Sequence, residues 1–166
     1  MKRILFLSAL LFLIQEIRAQ ESCACCTEQH QQFDFWVGDW NVYDTLGNLI
    51  GENTIEKLVV ECVLSEHWRG GAGGVGRSYN YYNLADSTWN QVWIDGTGSN
   101  LVLKGKLIKG NMVLQSDLLP GQKIDWYRNR ITWTPNHDGS VTQLWEILDK
   151  EDVVISQAFK GIYKKK

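Results

Sequence analysis

From Trp40 onward, turn signals recur at short and regular intervals. They fall at Leu46-Gly47-Asn48, Asp86-Ser87, Gly96-Thr97-Gly98, Lys109-Gly110-Asn111, Pro120-Gly121, Asn136-His137-Asp138-Gly139 and Glu151-Asp152. The runs between them are rich in β-branched and aromatic residues and have the length of strands. Turns spaced by roughly 8–12 residues are the mark of an all-β sandwich or barrel. No long helical pattern offers the crossovers that a parallel sheet needs. The spacing predicts about ten antiparallel strands, over 39–46, 49–58, 60–69, 76–84, 88–95, 100–107, 111–119, 123–134, 140–149 and 152–163. Sequential hairpins of this kind favour an up-and-down barrel closed on itself.

Three segments precede or open this pattern. Residues 1–19 combine a positive start (Lys2, Arg3), a short apolar core from Ile4 to Ile14 and a small residue, Ala19, at a plausible cut. That is the form of a secretory signal peptide. The apolar run is shorter than the roughly 20 residues of a membrane span. Residues 20–32 form a cysteine-rich arm, and residues 33–166 the barrel domain. The arm carries Cys23, Cys25 and Cys26, with Cys62 further on. Export permits disulfides, but four cysteines allow three pairings. The alternative is a soft-metal site from Cys23, Cys25, Cys26 and His30, suited to zinc or copper(I). No other cofactor is expected. Next comes Gln32-Phe33-Asp34-Phe35-Trp36-Val37-Gly38-Asp39-Trp40. A short helix or turn between Thr27 and Phe35, capped by Thr27 or Asp34, sets Phe33 and Trp36 on one face at i, i+3. Phe33, Trp36, Gly38 and Trp40 are the expected anchor that closes one end of the barrel.

Alternation gives the faces of the strands. In Leu101-Val102-Leu103-Lys104-Gly105-Lys106-Leu107 the leucines face one way and the lysines the other, an apolar inside and a solvated outside. Other strands mix tryptophan with one amide or charge on a single face. Glu66 goes with Trp68; Ser78 with Asn80 and Tyr82; Trp89 and Gln91 with Trp93 and Asp95. Trp126 goes with Arg128 and Arg130, and Gln143 with Trp145. Turned inward, these faces make a polar, aromatic-lined cavity. Buried charges must pair, so Arg130 is expected opposite Glu66 or Asp95.

Familiar site motifs fail on context. Gly71-Ala72-Gly73-Gly74-Val75-Gly76 matches G-x-G-x-x-G, but a strand-like run follows it instead of the helix a dinucleotide site requires. It reads as a hairpin loop at the barrel rim. No nucleophile elbow or paired-histidine metal motif is present. The formal net charge is −2 and no basic stripe exists, which argues against nucleic acid as a partner.

The stretch Phe33-Asp34-Phe35-Trp36-Val37-Gly38-Asp39-Trp40 resembles the bacterial domain-of-unknown-function family 1579, which comprises mostly secreted or lipocalin-like proteins without assigned activity. The resemblance continues through Asn53–Lys57, Glu66-His67-Trp68, Ser78–Tyr82, Trp89–Asp95, Arg130–Asn136, Gly139–Glu146 and Gly161-Ile162-Tyr163. Gly38-Asp39-Trp40 is also similar to the Gly-x-Trp opening of lipocalin-like barrels. In those barrels the tryptophan seals one end against an arginine from a late strand, a role for which Arg130 is the candidate here. Haem-binding ten-stranded barrels of the nitrobindin type open similarly and ligate iron through a histidine near the C-terminus. This chain has none after His137, so haem is not carried over.

The leading expectation is an exported bacterial protein, periplasmic or extracellular, that binds a small, partly apolar molecule. Trp68, Trp93 and Trp145 would stack on it. Asn80, Gln91, Arg130 and Gln143 would orient it, and Glu66 and Asp95 would pair with the arginine or accept from the ligand. A hydrolase- or isomerase-like enzyme using Glu66 or Asp95, and a structural envelope protein with a filled core, rank below it.

Overall fold

The computed structural model describes residues 23–122 and 124–166. The expected signal peptide lies outside them. The strands are β1 (Gly38–Tyr43), β2 (Leu49–Leu58), β3 (Val63–Gly70), β4 (Val75–Asn83), β5 (Thr88–Asp95), β6 (Asn100–Ile108), β7 (Asn111–Gln115), β8 (Leu119–Pro120), β9 (Trp126–Pro135), β10 (Val141–Leu148) and β11 (Val154–Lys165). All pairings are antiparallel and nearly all join neighbours in sequence. β1 pairs with β11 and β9 with β10, so ten strands close into a barrel while β8 is an extra piece on the edge of β9.

The expected strand over 111–119 ends at Gln115. There the Ser116 hydroxyl takes the backbone N–H of Asn129 at 2.9 Å, replacing a ladder bond. β8 then pairs only Leu119 with Tyr127 and Pro120 with Trp126. Proline has no N–H to donate and suits such an edge.

The N-terminal segment forms two short turns of helix. α1 (Glu28–Gln31) is capped by Thr27, whose hydroxyl accepts from the backbone N–H of His30. A 3-10 turn follows over Asp34–Trp36. Together they cover one end of the barrel. Phe33 stacks on Trp36 at 5.0 Å between ring centres. Its edges meet Trp89 at 5.6 Å and Trp133 at 5.2 Å. Lys57 on β2 holds the plug through Asp34 at 2.6 Å. Phe33, Trp36, Trp40 and Trp133 are wholly buried.

The cysteines form two disulfides, Cys23–Cys26 and Cys25–Cys62. The second ties the arm to the β2–β3 loop across 37 residues. In this pairing each of the four sulfurs belongs to a disulfide. His30 is packed as well: its Nδ1 lies 2.7 Å from the Thr27 hydroxyl and its ring meets Tyr82 edge-on. No described helix is long and apolar enough to cross a membrane.

Trp40 sits where the barrel closes. Its indole N–H donates to the Trp36 carbonyl at 2.8 Å. The arginine expected to pack on it is not there. Lys165, at the end of β11 and in register with Trp40, places its ammonium 3.9 Å from the ring centre. The same ammonium donates to the Val37 carbonyl. Gly38 has φ +132°, and a Cβ there would collide with the Lys165 side chain. The positive φ is what favours glycine there, since the flexible lysine end can move aside. Trp40→Ala should lower stability by roughly 3–5 kcal/mol in urea denaturation, as for a buried tryptophan elsewhere. Trp126→Ala, at a position 47% exposed, should stay within about 0.5 kcal/mol.

Candidate functional site

Alternation sends every second residue inward, and the strand register sets those residues in rows. One row runs Ile55, Glu66, Ser78, Trp93, Leu101 across β2 to β6. The next row toward the open end is Asn53, Trp68, Gly76, Asp95. Across the barrel, Ile131 pairs with Trp145 and Trp145 with Phe159, while Trp133 pairs with Gln143 and Gln143 with Gly161. The plug fills the lower half. Above it lies a cavity of about 360 Å³, walled by Trp68, Trp93, Trp145 and Phe159, with Glu66, Gln91, Gln143 and Tyr163 among its lining.

Glycines make room for the walls. A Cβ on Gly76 would strike the Trp93 indole, and one on Gly51 the Trp68 indole. The tryptophans thus lie flat over backbone where a side chain would stand. Phe159 meets Trp68 edge-on at 6.1 Å. It faces in by alternation with Gly161 and Tyr163, and the β10–β11 register slips just beyond it, between Trp145 and Glu146. The slip lets the consecutive residues Ala158 and Phe159 both face in. Trp145 is fixed by its indole N–H, which donates to Asn129 Oδ1 at 2.8 Å.

The floor is a chain of hydrogen bonds. Glu66 is 4% exposed. It accepts from Asn53 Nδ2 at 2.7 Å on one oxygen and from the Ser78 hydroxyl at 2.6 Å on the other. Asn80 Nδ2 donates to Ser78 at 2.9 Å, and Gln91 Nε2 to Asn80 Oδ1 at 2.8 Å. On the far side the Tyr163 hydroxyl donates to Gln143 Oε1 and receives a long bond from Asn53. Burial pushes the Glu66 carboxyl up to about 7, against the opposing pull of the bonds from Ser78 and Asn53. Burial also raises the Tyr163 phenol well above its ordinary value, and a charge on Glu66 adds to that.

The expected site residues divide clearly. Glu66, Trp68, Gln91, Trp93, Asp95, Gln143 and Trp145 line the cavity. Asn80 lies beneath it and braces Gln91. Arg130 is a correction. β9 turns Asn129, Ile131 and Trp133 inward, so Trp126, Arg128 and Arg130 face out. Arg130 pairs with Glu146, its register partner on β10, at 2.9 Å. Asp95 meets no arginine either. Its Oδ1 accepts from the Thr97 hydroxyl at 2.6 Å and from the backbone N–H of Thr97 and Ser99. Those bonds, the Thr97 hydroxyl first, hold its carboxyl below the usual range. Asp95 therefore shapes the turn at the cavity mouth. The glycine-rich β3–β4 hairpin lies at the same mouth, through Gly74 and Val75.

Asn53, Tyr163 and Phe159 were not singled out in the sequence as site residues. Asn53 alternates with Gly51 and Ile55, and Tyr163 with Gly161 and Phe159, so their shared faces were readable. Their position opposite Glu66 depends on closure of the barrel. No family model and no curated protein matches the chain.

The raised carboxyl has a consequence for stability. Between pH 4.5 and about 7 the folded protein keeps a proton on Glu66 that the unfolded chain has released. Stability from this source is present in full below 4.5 and falls as pH rises through about 7. The fall is on the order of 3 kcal/mol. Urea denaturation across this range should show that decline in the native protein. It should be nearly absent in Glu66→Gln.

Proposed function

We propose that this chain is an exported lipocalin-like barrel that binds a small, partly apolar molecule. One observation carries the reading: a cavity of about 360 Å³ with tryptophan and phenylalanine walls and a hydrogen-bonded polar floor. Its volume falls at the small end of ligand pockets, which span roughly 300–1,000 Å³. The walls supply apolar area and stacking faces. The floor supplies a carboxyl and the two amides of Gln91 and Gln143, which fix orientation. A filled structural core does not account for a space of this size. The signal-like residues 1–19 and the two disulfides support a periplasmic or extracellular location. Membership of the family 1579 proteins belongs to the same proposal.

A second reading has one observation in its favour. A carboxyl pushed to about 7 in a cavity is poised for general acid–base work near neutral pH. Glu66 would act alone, because Asp95 is held ionised by its turn. If the barrel is an enzyme, its pH–rate profile should turn near 7, and turnover should vanish in Glu66→Gln.

The binding reading is tested by titrating the protein with a library of small aromatic and aliphatic metabolites. Saturable changes in tryptophan fluorescence are expected. Trp93→Ala should weaken the best binder by at least about tenfold, as loss of a stacking wall does. A library without a single saturable binder would count against the proposal.

A further inference from the structure

The ionisable groups of the cavity share one sign. Among the described residues, its lining holds Glu66, Asp95 and Tyr163, with no lysine, arginine or histidine. Glu66 receives its hydrogen bonds from neutral donors only, Asn53 and Ser78. Two cations that could have served are committed elsewhere. Arg130 points outward to Glu146, and Lys165 lies over Trp40 at the closed end. A buried carboxylate needs a countercharge, and the described residues supply none at Glu66.

The neighbouring residues sharpen the point. Gln91 and Gln143 show that this cavity accommodates amides. Glutamine at position 66 would keep the shape and a hydrogen-bonding oxygen. Glutamate adds a second accepting oxygen, so that Asn53 and Ser78 each donate to one, and with it a charge, at a cost in stability. Around that charge stand Trp68, Trp93 and Trp145, whose ring faces attract cations. An anionic ligand would set two like charges in one apolar space. A neutral ligand would at most donate a hydrogen bond to the carboxylate and would leave its charge without a countercharge.

We infer that the molecule bound in this barrel is a small organic cation, an amine or quaternary ammonium on an apolar or aromatic body, with its positive nitrogen at Glu66 between the tryptophan walls. The inference rests on the binding reading above and names the ligand class for the same cavity.

A pH dependence follows. Glu66 is faced by Asn53 from β2, Ser78 from β4, Gln91 and Asp95 from β5, Gln143 from β10 and Tyr163 from β11. Of these only Asp95 and Tyr163 titrate. Asp95 is held low by Thr97 and stays ionised, and Tyr163 is held high and stays neutral. Near neutrality the change of charge in the cavity is therefore that of Glu66, whose carboxyl sits at about 7. A cation binds the deprotonated form, so its affinity rises with pH toward a plateau above that value.

The test uses one body with three head groups: phenethylamine, 2-phenylethanol and phenylacetate, measured by isothermal titration calorimetry on the full, disulfide-bonded protein. At about pH 8 the amine should bind at least about tenfold more tightly than the alcohol, and phenylacetate most weakly. In Glu66→Gln the preference for the amine over the alcohol, read as a ratio within the variant, should shrink to about threefold or less. Benzyltrimethylammonium, which cannot lose a proton, should gain about tenfold in affinity from pH 6 to pH 8 in the native protein and stay flat in the variant. If the alcohol or phenylacetate binds as tightly as the amine, the cation inference falls and the binding reading stands. The same holds if Glu66→Gln keeps the preference. If none of the three binds and the metabolite library is also silent, both fall. The preference is read first on the native protein, so the inference remains testable even if Glu66→Gln does not fold.

Discussion

The barrel is held shut by a short seam. β1 and β11 pair over four positions, Trp40 with Lys165 through Tyr43 with Ile162. Without that seam the eleven strands are an open sheet, and the inward rows face water. Much of the lower half converges on it. Trp40 lies in the seam, bonds the plug through the Trp36 carbonyl and carries Lys165 over its ring. Gly38 permits the approach of that lysine. The Phe33–Trp36–Trp89–Trp133 stack fills the barrel just inside it. Tyr163, on the last strand, brings its hydroxyl to the floor only when the seam is made.

Above the plug the interior changes character. The lower half is mostly aromatic, filled by Phe33, Trp36, Trp40, Trp89 and Trp133, with Gln32 accepting from the Trp89 indole N–H at 3.2 Å. The upper half places a carboxyl, four amides and two hydroxyls in a connected line from Gln143 to Gln91. A line of this kind fixes strand register, since a slip by one residue would turn Glu66 outward and a slip by two would bury it without its donors. The same line makes a directional floor. On the proposed binding reading, structural and binding roles coincide on the same side chains.

Much of the fold was legible because turns and alternation are local. Leu101 and Leu103 face in and Lys104 faces out, as their spacing requires. The anchor residues lie where a Gly-x-Trp opening puts them. The site was less legible where both faces of a strand carry similar chemistry. In β9, Trp126, Arg128 and Arg130 compete with Asn129, Ile131 and Trp133, and each set offers an aromatic and a polar group. Period two defines the two faces without saying which is inside. The pairing of Arg130 with Glu146, set by strand register, decides it. The inward turn of Ala158 was hidden by the slip in β10–β11, which breaks the alternation any reading by period depends on. The cysteine pairing was open for a related reason. It is fixed by the β2–β3 loop coming close to the arm, a contact between residues 37 apart.

The polar line has a further meaning for the chain before it is closed. β2 to β5 form by local hairpins and already assemble Asn53, Glu66, Ser78, Asn80 and Gln91 on one face. Tyr163 arrives from 110 residues beyond Asn53. Contacts so distant in sequence form late, because their loop-closure entropy must be overcome first. Until then the concave face of the sheet is open to water, and unclosed sheets with apolar faces are prone to stick to one another. Here that face carries a carboxyl and amides across its middle. The residues that become the floor of the cavity keep the half-built sheet hydrated, and they lose their water only when the last strand docks.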